Sequence, residues 1–156
     1  SVSGELKRVV LATGTSTVIA SGLGGPNGVA LSTSQPTLAY VTTSLFPYGM
    51  RLVNLLDGSS TLIGSPVSQP SGGIWINAAE SFAFVTEAPG GVLSRFNLTT
   101  GARTVIASGL SVPADVVLTS AETTAYVTEY GSGELSSVNL STGAIAVVAR
   151  RRVQYR

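Results

Sequence analysis

Apolar and polar positions alternate with a period of two along most of the chain, in short segments separated by turn residues. Residues 91–101 (GVLSRFNLTTG) and 133–143 (GELSSVNLSTG) align without a gap, 42 residues apart. A period of two is expected for a strand with one buried face, and the Thr-Gly pairs suit tight turns. Helical spacing is not sustained over three turns anywhere in the sequence. The pattern therefore predicts an all-β chain built from hairpins.

The hairpins belong to a repeat in which two modules alternate. Each period of about 43 residues holds two hairpins and therefore four strands. Both this length and this number of strands are those of a β-propeller blade. A β-solenoid or a β-sandwich is the structural alternative. The first module occurs at residues 4–20, 50–63, 91–107 and 133–149, and the second at 26–43, 73–87 and 115–129.

The repeat count predicts about three and a half blades of four antiparallel strands within residues 1–149. A closed propeller usually has four to eight blades, and an open arc would leave strand edges unpaired. We therefore expect the ring, of six or seven blades in total, to be completed by a second copy as a homo-oligomer, or by the remainder of a longer chain. The predicted units are a half-blade at 4–20 and full blades at 26–64, 70–107 and 113–149.

Aromatic residues recur at one position inside the apolar strands of the second module. Tyr40, Phe84 and Tyr126 each follow an alanine and precede a valine. Since the flanking pattern is that of a buried strand, we predict that all three are core residues.

Composition limits the chemistry that the chain can perform. It contains no cysteine and no histidine, which excludes Ser-His-Asp or Cys-His catalysis, histidine acid–base chemistry and zinc sites built on these residues. Four of the nine basic residues lie in a predicted basic tail at residues 150–156, while the preceding residues carry five basic and eight acidic groups. This body offers no basic face for nucleic acid, and no apolar run suits a membrane helix. Low charge and abundant Ser and Thr favour an extracytoplasmic, secreted protein.

A family resemblance rests on the second module. Residues 26–32 (PNGVALS), followed by residues 38–42 (LAYVT), resemble the blade phrase of SMP-30/gluconolactonase and strictosidine-synthase-like propellers, and are similar to NHL and YVTN-type repeats. The resemblance covers Gly4 to Ala149 at the level of blade repeats. In the lactonase branch a divalent metal lies in the central channel, held by carboxylates and an asparagine at the starts of inner strands. The resemblance implies that Asn27 is this asparagine.

Three acidic residues complete the set of candidate metal ligands. Asp115 lies at the start of another predicted inner strand, and Glu87 and Glu129 share a repeat position at the ends of second strands. With Asn27 they are the candidates for binding Ca²⁺ or another divalent metal, which takes six to eight oxygen ligands. The alternative for Glu87 and Glu129 is a solvated acid at a strand end. The alternative for Asn27 and Asp115 is a local turn hydrogen bond.

Aromatic residues also interrupt the repeat in the loops that follow the second strands. Phe46 and Tyr48 flank Pro47, and Tyr130 lies in the equivalent loop of the last blade. Loops on a rigid scaffold often carry binding residues, so these three are candidate contacts for a ligand or partner. Equally, they could cover the neighbouring blade.

Two functions from different classes follow from these observations. The favoured hypothesis is a non-enzymatic binding or scaffold module without a cofactor, because catalytic side chains are few and the blades are closely similar. The alternative is a metal-dependent hydrolase of the SMP-30/gluconolactonase type, in which Asn27 and Asp115 hold the ion and Glu87 or Glu129 completes the shell or moves protons.

Overall fold

The described part of the chain consists of antiparallel β-strands joined by turns. The computed structural model describes residues 4–45, 48–64 and 69–150. These residues contain no helix that could span a membrane. The strands are β1 Leu6–Val9, β2 Ser16–Ala20, β3 Pro26–Leu31, β4 Leu38–Thr43, β5 Gly49–Asn54, β6 Ser60–Ile63, β7 Pro70–Ile76, β8 Phe82–Glu87, β9 Val92–Asn97, β10 Arg103–Ser108, β11 Pro113–Leu118, β12 Thr124–Glu129, β13 Glu134–Asn139 and β14 Ile145–Arg150.

The strands form one two-stranded sheet and three four-stranded sheets in chain order. We call β1–β2 the half-blade, β3–β6 blade A, β7–β10 blade B and β11–β14 blade C. Each four-stranded sheet is a meander in which sequence neighbours pair. Of the predicted basic tail, Arg150 ends β14, and residues 151–156 lie outside the described residues.

The first strands of the three full blades lie side by side, β3 against β7 and β7 against β11. Their approach is close, because a Cβ atom on Gly28 would lie 2.0 Å from the carbonyl oxygen of Gly72. Glycine is therefore required where the two backbones meet. The sheets are stacked around a common axis with their first strands innermost, which confirms the predicted β-propeller blades.

Three apolar layers fill the spaces between consecutive sheets. Each layer combines side chains from facing surfaces of two sheets, and burying one of its valine, leucine, isoleucine, phenylalanine or methionine side chains contributes about 1.5–3 kcal/mol. The buried members are Ala20, Leu23, Val41 and Val53 between the half-blade and blade A; Tyr40, Met50, Ile74, Ala83, Val85 and Phe96 between blades A and B; and Phe84, Leu93, Ala107, Leu110, Val116, Leu118, Ala125, Val127 and Val138 between blades B and C.

The aromatic repeat position shows what a neighbouring blade provides. Tyr40 and Phe84 are buried because blades B and C cover them, whereas Tyr126 is 36% exposed. The prediction that Tyr126 is a core residue is therefore wrong for this chain. Its residue type is that of a core position, but no sheet among the described residues covers the far face of blade C.

The half-blade corresponds to the third and fourth strands of a full blade. Leu6 in β1 occupies the repeat position of Leu93 in β9, and Ala20 in β2 occupies that of Ala107 in β10. No first and second strands accompany them within the described residues. The half-blade thus covers only the outer part of blade A, and a cleft of about 500 Å³ lies between the two.

A carboxylate clasp joins blade B to blade A. Glu80, in the β7–β8 turn, accepts hydrogen bonds from the β3–β4 turn of blade A. The Ser34 amide and hydroxyl donate to it at 2.8 and 2.7 Å, the hydroxyls of Ser32 and Thr33 at 2.8 and 2.6 Å, and the Thr33 amide donates as well. These donors, led by the Thr33 hydroxyl, hold the pKa of Glu80 far below its usual range.

The same clasp recurs one blade further on. Glu122, in the β11–β12 turn, accepts a hydrogen bond from the Ala78 amide at 2.6 Å and a longer one from Asn77 Nδ2 at 3.4 Å. Both clasps connect turns at the same repeat position in adjacent blades. Because hydrogen bonds are directional, the clasps fix how each blade is oriented on its neighbour.

We predict that replacing the clasp acid loosens the contact between blades A and B. Glu80→Gln should lower the melting temperature at neutral pH, since an amide cannot accept the full set of hydrogen bonds. The folded-state pKa is depressed, so the contribution is complete above about pH 4.3 and declines as the pH falls below it. Thermal melts from pH 7 to pH 2 measure this. The matched control is Glu5→Gln, which removes only an exposed ion pair with Lys7. A difference from wild type that did not shrink with acidification would contradict the prediction.

Candidate functional site

The predicted metal ligands lie at the edge of the arc where each first strand begins, which we call the rim. The second strands end at this edge because they run antiparallel to the first strands. The loops after the second strands therefore meet the connections that lead into the first strands. Asn27, Glu87, Asp115 and Glu129 all lie at or next to this edge.

Glu87 is fully buried and forms an ion pair within blade B. Arg103, in the outermost strand β10, donates from Nε to Oε1 and from Nη2 to Oε2, both at 2.9 Å. This two-pronged geometry matches a guanidinium to a carboxylate. The carboxylate is thus directed away from the axis, towards the outer edge of its own blade.

Glu129 is also buried but has different partners. Its carboxylate accepts hydrogen bonds from the backbone amide of Ser111 and from the hydroxyl of Ser136. The repeat explains the difference, because the residue equivalent to Arg103 in blade C is Ile145. Glu129 therefore ties the 109–112 connection to the body of blade C.

Next to Glu129, the rim carries an exposed apolar patch formed by Val112 and Tyr130. The Tyr130 amide donates to the Val112 carbonyl and the Gly131 amide to the Ser111 carbonyl, both at 3.0 Å. The loops are tightly packed, since a Cβ atom on Gly131 would lie 2.5 Å from Ser111 Oγ. Tyr130 is 84% exposed, so this aromatic side chain projects from a hydrogen-bonded support.

Val112 is held in a strained backbone conformation. Its φ of 49° lies in the left-handed region, which a β-branched residue rarely adopts. Such strain costs about 1–3 kcal/mol and persists only where the surroundings impose it. Here the two backbone hydrogen bonds and the Glu129–Ser111 contact impose it. The Val112–Tyr130 patch is thus held by hydrogen bonds to the loops on both of its sides.

At the axis, Asn27 participates in a polar seam between first strands. Asn27 Nδ2 donates to the Pro70 carbonyl at 2.6 Å, and its Oδ1 accepts from Thr42 Oγ1 at 3.0 Å. In the next blade, Thr86 Oγ1 donates to the Ala114 carbonyl at 3.3 Å. Asn27, which accepts from Thr42 of its own blade, thus links blade A to blade B, and Thr86 links blade B to blade C.

Asp115 lies at the open end of this seam, on the exposed face of blade C. Its Oδ1 accepts from the Val116 amide at 2.9 Å, and its own amide donates to Thr128 Oγ1 at 3.1 Å. This is the local hydrogen bonding that the sequence offered as the alternative to metal binding.

The predicted metal ligands do not come together as a set. In the described ranges, no three residues among His, Cys, Asp and Glu are grouped closely enough to hold a metal ion. Asn27, Glu87 and Glu129 are each engaged by protein hydrogen bonds. This donor set does not fit a cation that takes six to eight oxygens. Metal binding at these residues stays a prediction.

The three predicted aromatic contacts have different surroundings. Tyr130 is exposed on the rim, whereas Tyr48 is half-buried and packs against the layer between blades A and B. Phe46 lies outside the described residues. Of the described pair, only Tyr130 presents its ring to solvent.

Sequence reasoning did not single out Arg103, Val112 or the two clasp acids. Glu80 and Glu122 could have been found, because they share a repeat position 42 residues apart in equivalent turns. Arg103 has no repeat equivalent of its kind. The positive φ of Val112 recurs at Gly25 and Gln69, which also precede the proline that begins a first strand, so Gly25 was the signal that could have revealed it.

Removing the Arg103 guanidinium that pairs with Glu87 should destabilise the fold. We expect Arg103→Ala to lower the free energy of unfolding by about 3 kcal/mol, because it removes the bidentate partner of a buried carboxylate. Arg103→Lys should recover only part of the loss, since an ammonium cannot reproduce the two-pronged contact. Urea denaturation measures both. The control is Arg150→Ala, at a pair with Glu134 in which the arginine is 71% exposed, and it should cost less than about 1 kcal/mol.

Relieving the backbone strain at Val112 should raise the stability of the folded chain. Glycine adopts φ of 49° without strain, so we expect Val112→Gly to raise the free energy of unfolding by about 1 kcal/mol. Val105→Gly is the matched control, because Val105 is similarly exposed (47% against 44%) but lies in the extended strand β10. Glycine in a strand should lower stability. Denaturation curves showing the same loss for both variants would contradict the prediction.

Comparison with known proteins supports the fold without identifying a family. No family model and no curated protein matches this sequence. Among solved structures, a chain in the crystal structure of a nidogen/laminin complex is similar with a TM-score of 0.79 and 16% identity, over 95% of this chain and 59% of that chain.

Two bacterial proteins show the same likeness. TolB from Acinetobacter baumannii has a TM-score of 0.69 and 16% identity, over 96% of this chain and 38% of that chain. Virginiamycin B lyase from Staphylococcus aureus has a TM-score of 0.72 and 16% identity, over 96% and 50%. The chain thus spans at most about three fifths of the length of these three proteins. All three have β-propeller folds, and the chain has the fold of a β-propeller segment.

Proposed function

We propose that this chain is a non-enzymatic β-propeller module that binds a macromolecular partner through the Val112–Tyr130 patch. The observation that carries the proposal is the contrast at the rim. Its buried acids are engaged inside the protein, whereas an aromatic and an aliphatic side chain are presented to solvent on a strained, hydrogen-bonded support.

The contacts of Glu87 and Glu129 support a structural role for these two buried rim acids. A general acid or base must be within hydrogen-bonding reach of the group that it protonates or deprotonates. Glu87 is directed towards Arg103, and Glu129 towards Ser111 and Ser136. The fold does not decide between binding and catalysis, because one of the similar structures is a lyase. The proposal therefore rests on the rim itself.

The patch has the properties of a binding contact. Tyrosine is enriched at the energetic centres of interfaces, because it buries a large rigid surface for little loss of side-chain entropy. Support by Glu129 and the paired loops means that the backbone would not have to be ordered on binding.

Site-specific photocrosslinking tests this proposal. A benzophenone amino acid replaces Tyr130, and in a separate control it replaces the highly exposed Leu11 on the half-blade. We expect the photoreactive residue at position 130 to form a saturable crosslinked adduct with the partner. The same residue at position 11 should form none. Unlabelled wild-type chain should compete for the adduct, and unlabelled Tyr130→Ala chain should compete at least about tenfold less well.

Two results would contradict the proposal. One is the absence of any adduct at position 130 that wild-type chain competes away. The other is calcium-dependent lactone hydrolysis that is lost in Asn27→Ala or Asp115→Ala, which would favour the metal-dependent hydrolase over a non-enzymatic module.

A further inference from the structure

On the side of the half-blade, the part of blade A nearest the axis is not covered by a neighbouring sheet within the described residues. The equivalent parts of blades B and C are covered by the preceding blade. The half-blade pairs β1 only with β2, so the opposite edge of β1 has no strand partner among the described residues. In blades A, B and C the equivalent strands β5, β9 and β13 are central and pair on both edges. The open edge of β1 faces the cleft of about 500 Å³, which we call the slot.

The floor of the slot is apolar and exposed. Val29 and Leu31 in β3 are 55% and 64% exposed. Their repeat equivalents in blade C, Val116 and Leu118, are buried at 2% and 8%. The residue types are similar in the two blades, so the exposure of Val29 and Leu31 results from an absent neighbour.

We propose that the slot binds a β-hairpin of the inner-blade type, which completes the half-blade as its first and second strands. Two observations carry this independently. The open edge of β1 offers backbone hydrogen bonds to an added strand, and the apolar floor offers a surface for its side chains.

The repeat specifies what such a hairpin must carry. Val116 and Leu118 are covered by Phe84 from the second strand of blade B, and Ile74 is covered by Tyr40 from the second strand of blade A. The bound hairpin therefore needs an aromatic residue at this position of its second strand. In the register of β12 with β13, where Tyr126 pairs with Ser137, this residue would lie opposite Arg8 of β1.

The source of the hairpin is polypeptide outside residues 1–156. A second copy of the chain is a poor donor, because the second strands of its full blades already pair with their own third strands. Residues 151–156 are too few, since the first two strands of blade C with their turn occupy residues 113–129. The similar propellers are longer than this chain, in agreement with additional blades.

A peptide of residues 113–129 provides the probe, because it is an inner hairpin of this same repeat. The labelled peptide is titrated into the full chain and followed by fluorescence anisotropy. We expect saturable binding that Leu31→Ser weakens at least about tenfold, because one buried leucine contributes more than one factor of ten. A peptide with Tyr126→Ser should bind similarly weakly. Val148→Ser, on an exposed position of β14, is the control and should bind like wild type.

A tethered version guards against a peptide that does not fold alone, since isolated hairpins are marginally stable. Residues 113–132 are fused directly ahead of Gly4, which is the repeat equivalent of Gly133, so that the loop keeps its length. The fusion should melt at a higher temperature than the chain itself. Leu31→Ser should lower that temperature more in the fusion than in the untethered chain.

Three outcomes would overturn the proposal: no binding and no stabilisation by the tether, binding that Leu31→Ser leaves unchanged, or self-association of the chain that Leu31→Ser abolishes. The last would assign the slot to a second copy. Tyr130→Ala should leave peptide binding unchanged, because the patch lies on blade C. Failure of the rim proposal and failure of the slot proposal are therefore distinguishable.

Discussion

Each four-stranded sheet in this structure has two apolar faces, and this is the constraint on which the rest depends. Strands β4 and β8 are buried along almost their whole length, whereas β12 alternates between buried and exposed residues. All three strands have nearly the same sequence pattern. The difference is that β4 and β8 each have a sheet on both sides, while β12 has one. A blade is thus complete only between two others.

Apolar layers alone would not determine how the blades are oriented, because hydrophobic contact is non-directional. The polar groups supply direction at two levels. Asn27 and Thr86 connect neighbouring blades near the axis, and Glu80 and Glu122 clasp the turns at the opposite edge from the rim. Since the two glutamates recur with the repeat, blade C is placed on blade B much as blade B is placed on blade A. That regularity allows the slot beside β1 to be described from the blades that are complete.

The sequence predicts the blades because the information needed for a hairpin is local. Alternation, turn residues and a period of about 43 residues suffice for strands and their order. It predicts the site poorly because the partners of the site residues are not local. Glu80 meets a turn 46 to 48 residues away, and Glu87 meets Arg103 across its own sheet. Glu87 and Glu129 are equivalent in the repeat yet differ in partner, since Arg103 gives way to Ile145.

The Val112–Tyr130 patch at the rim does not depend on the uncovered face of blade C. Val112 and Tyr130 are held by Ser111, Gly131 and the buried carboxylate of Glu129, all of which belong to blade C or to the connection leading into it. No contact from a following blade is needed to maintain the strained loop. The Val112–Tyr130 patch and the slot beside β1 therefore depend on different contacts at the two ends of the arc. Completing the half-blade would stabilise the stack without rearranging the surface proposed to bind a partner.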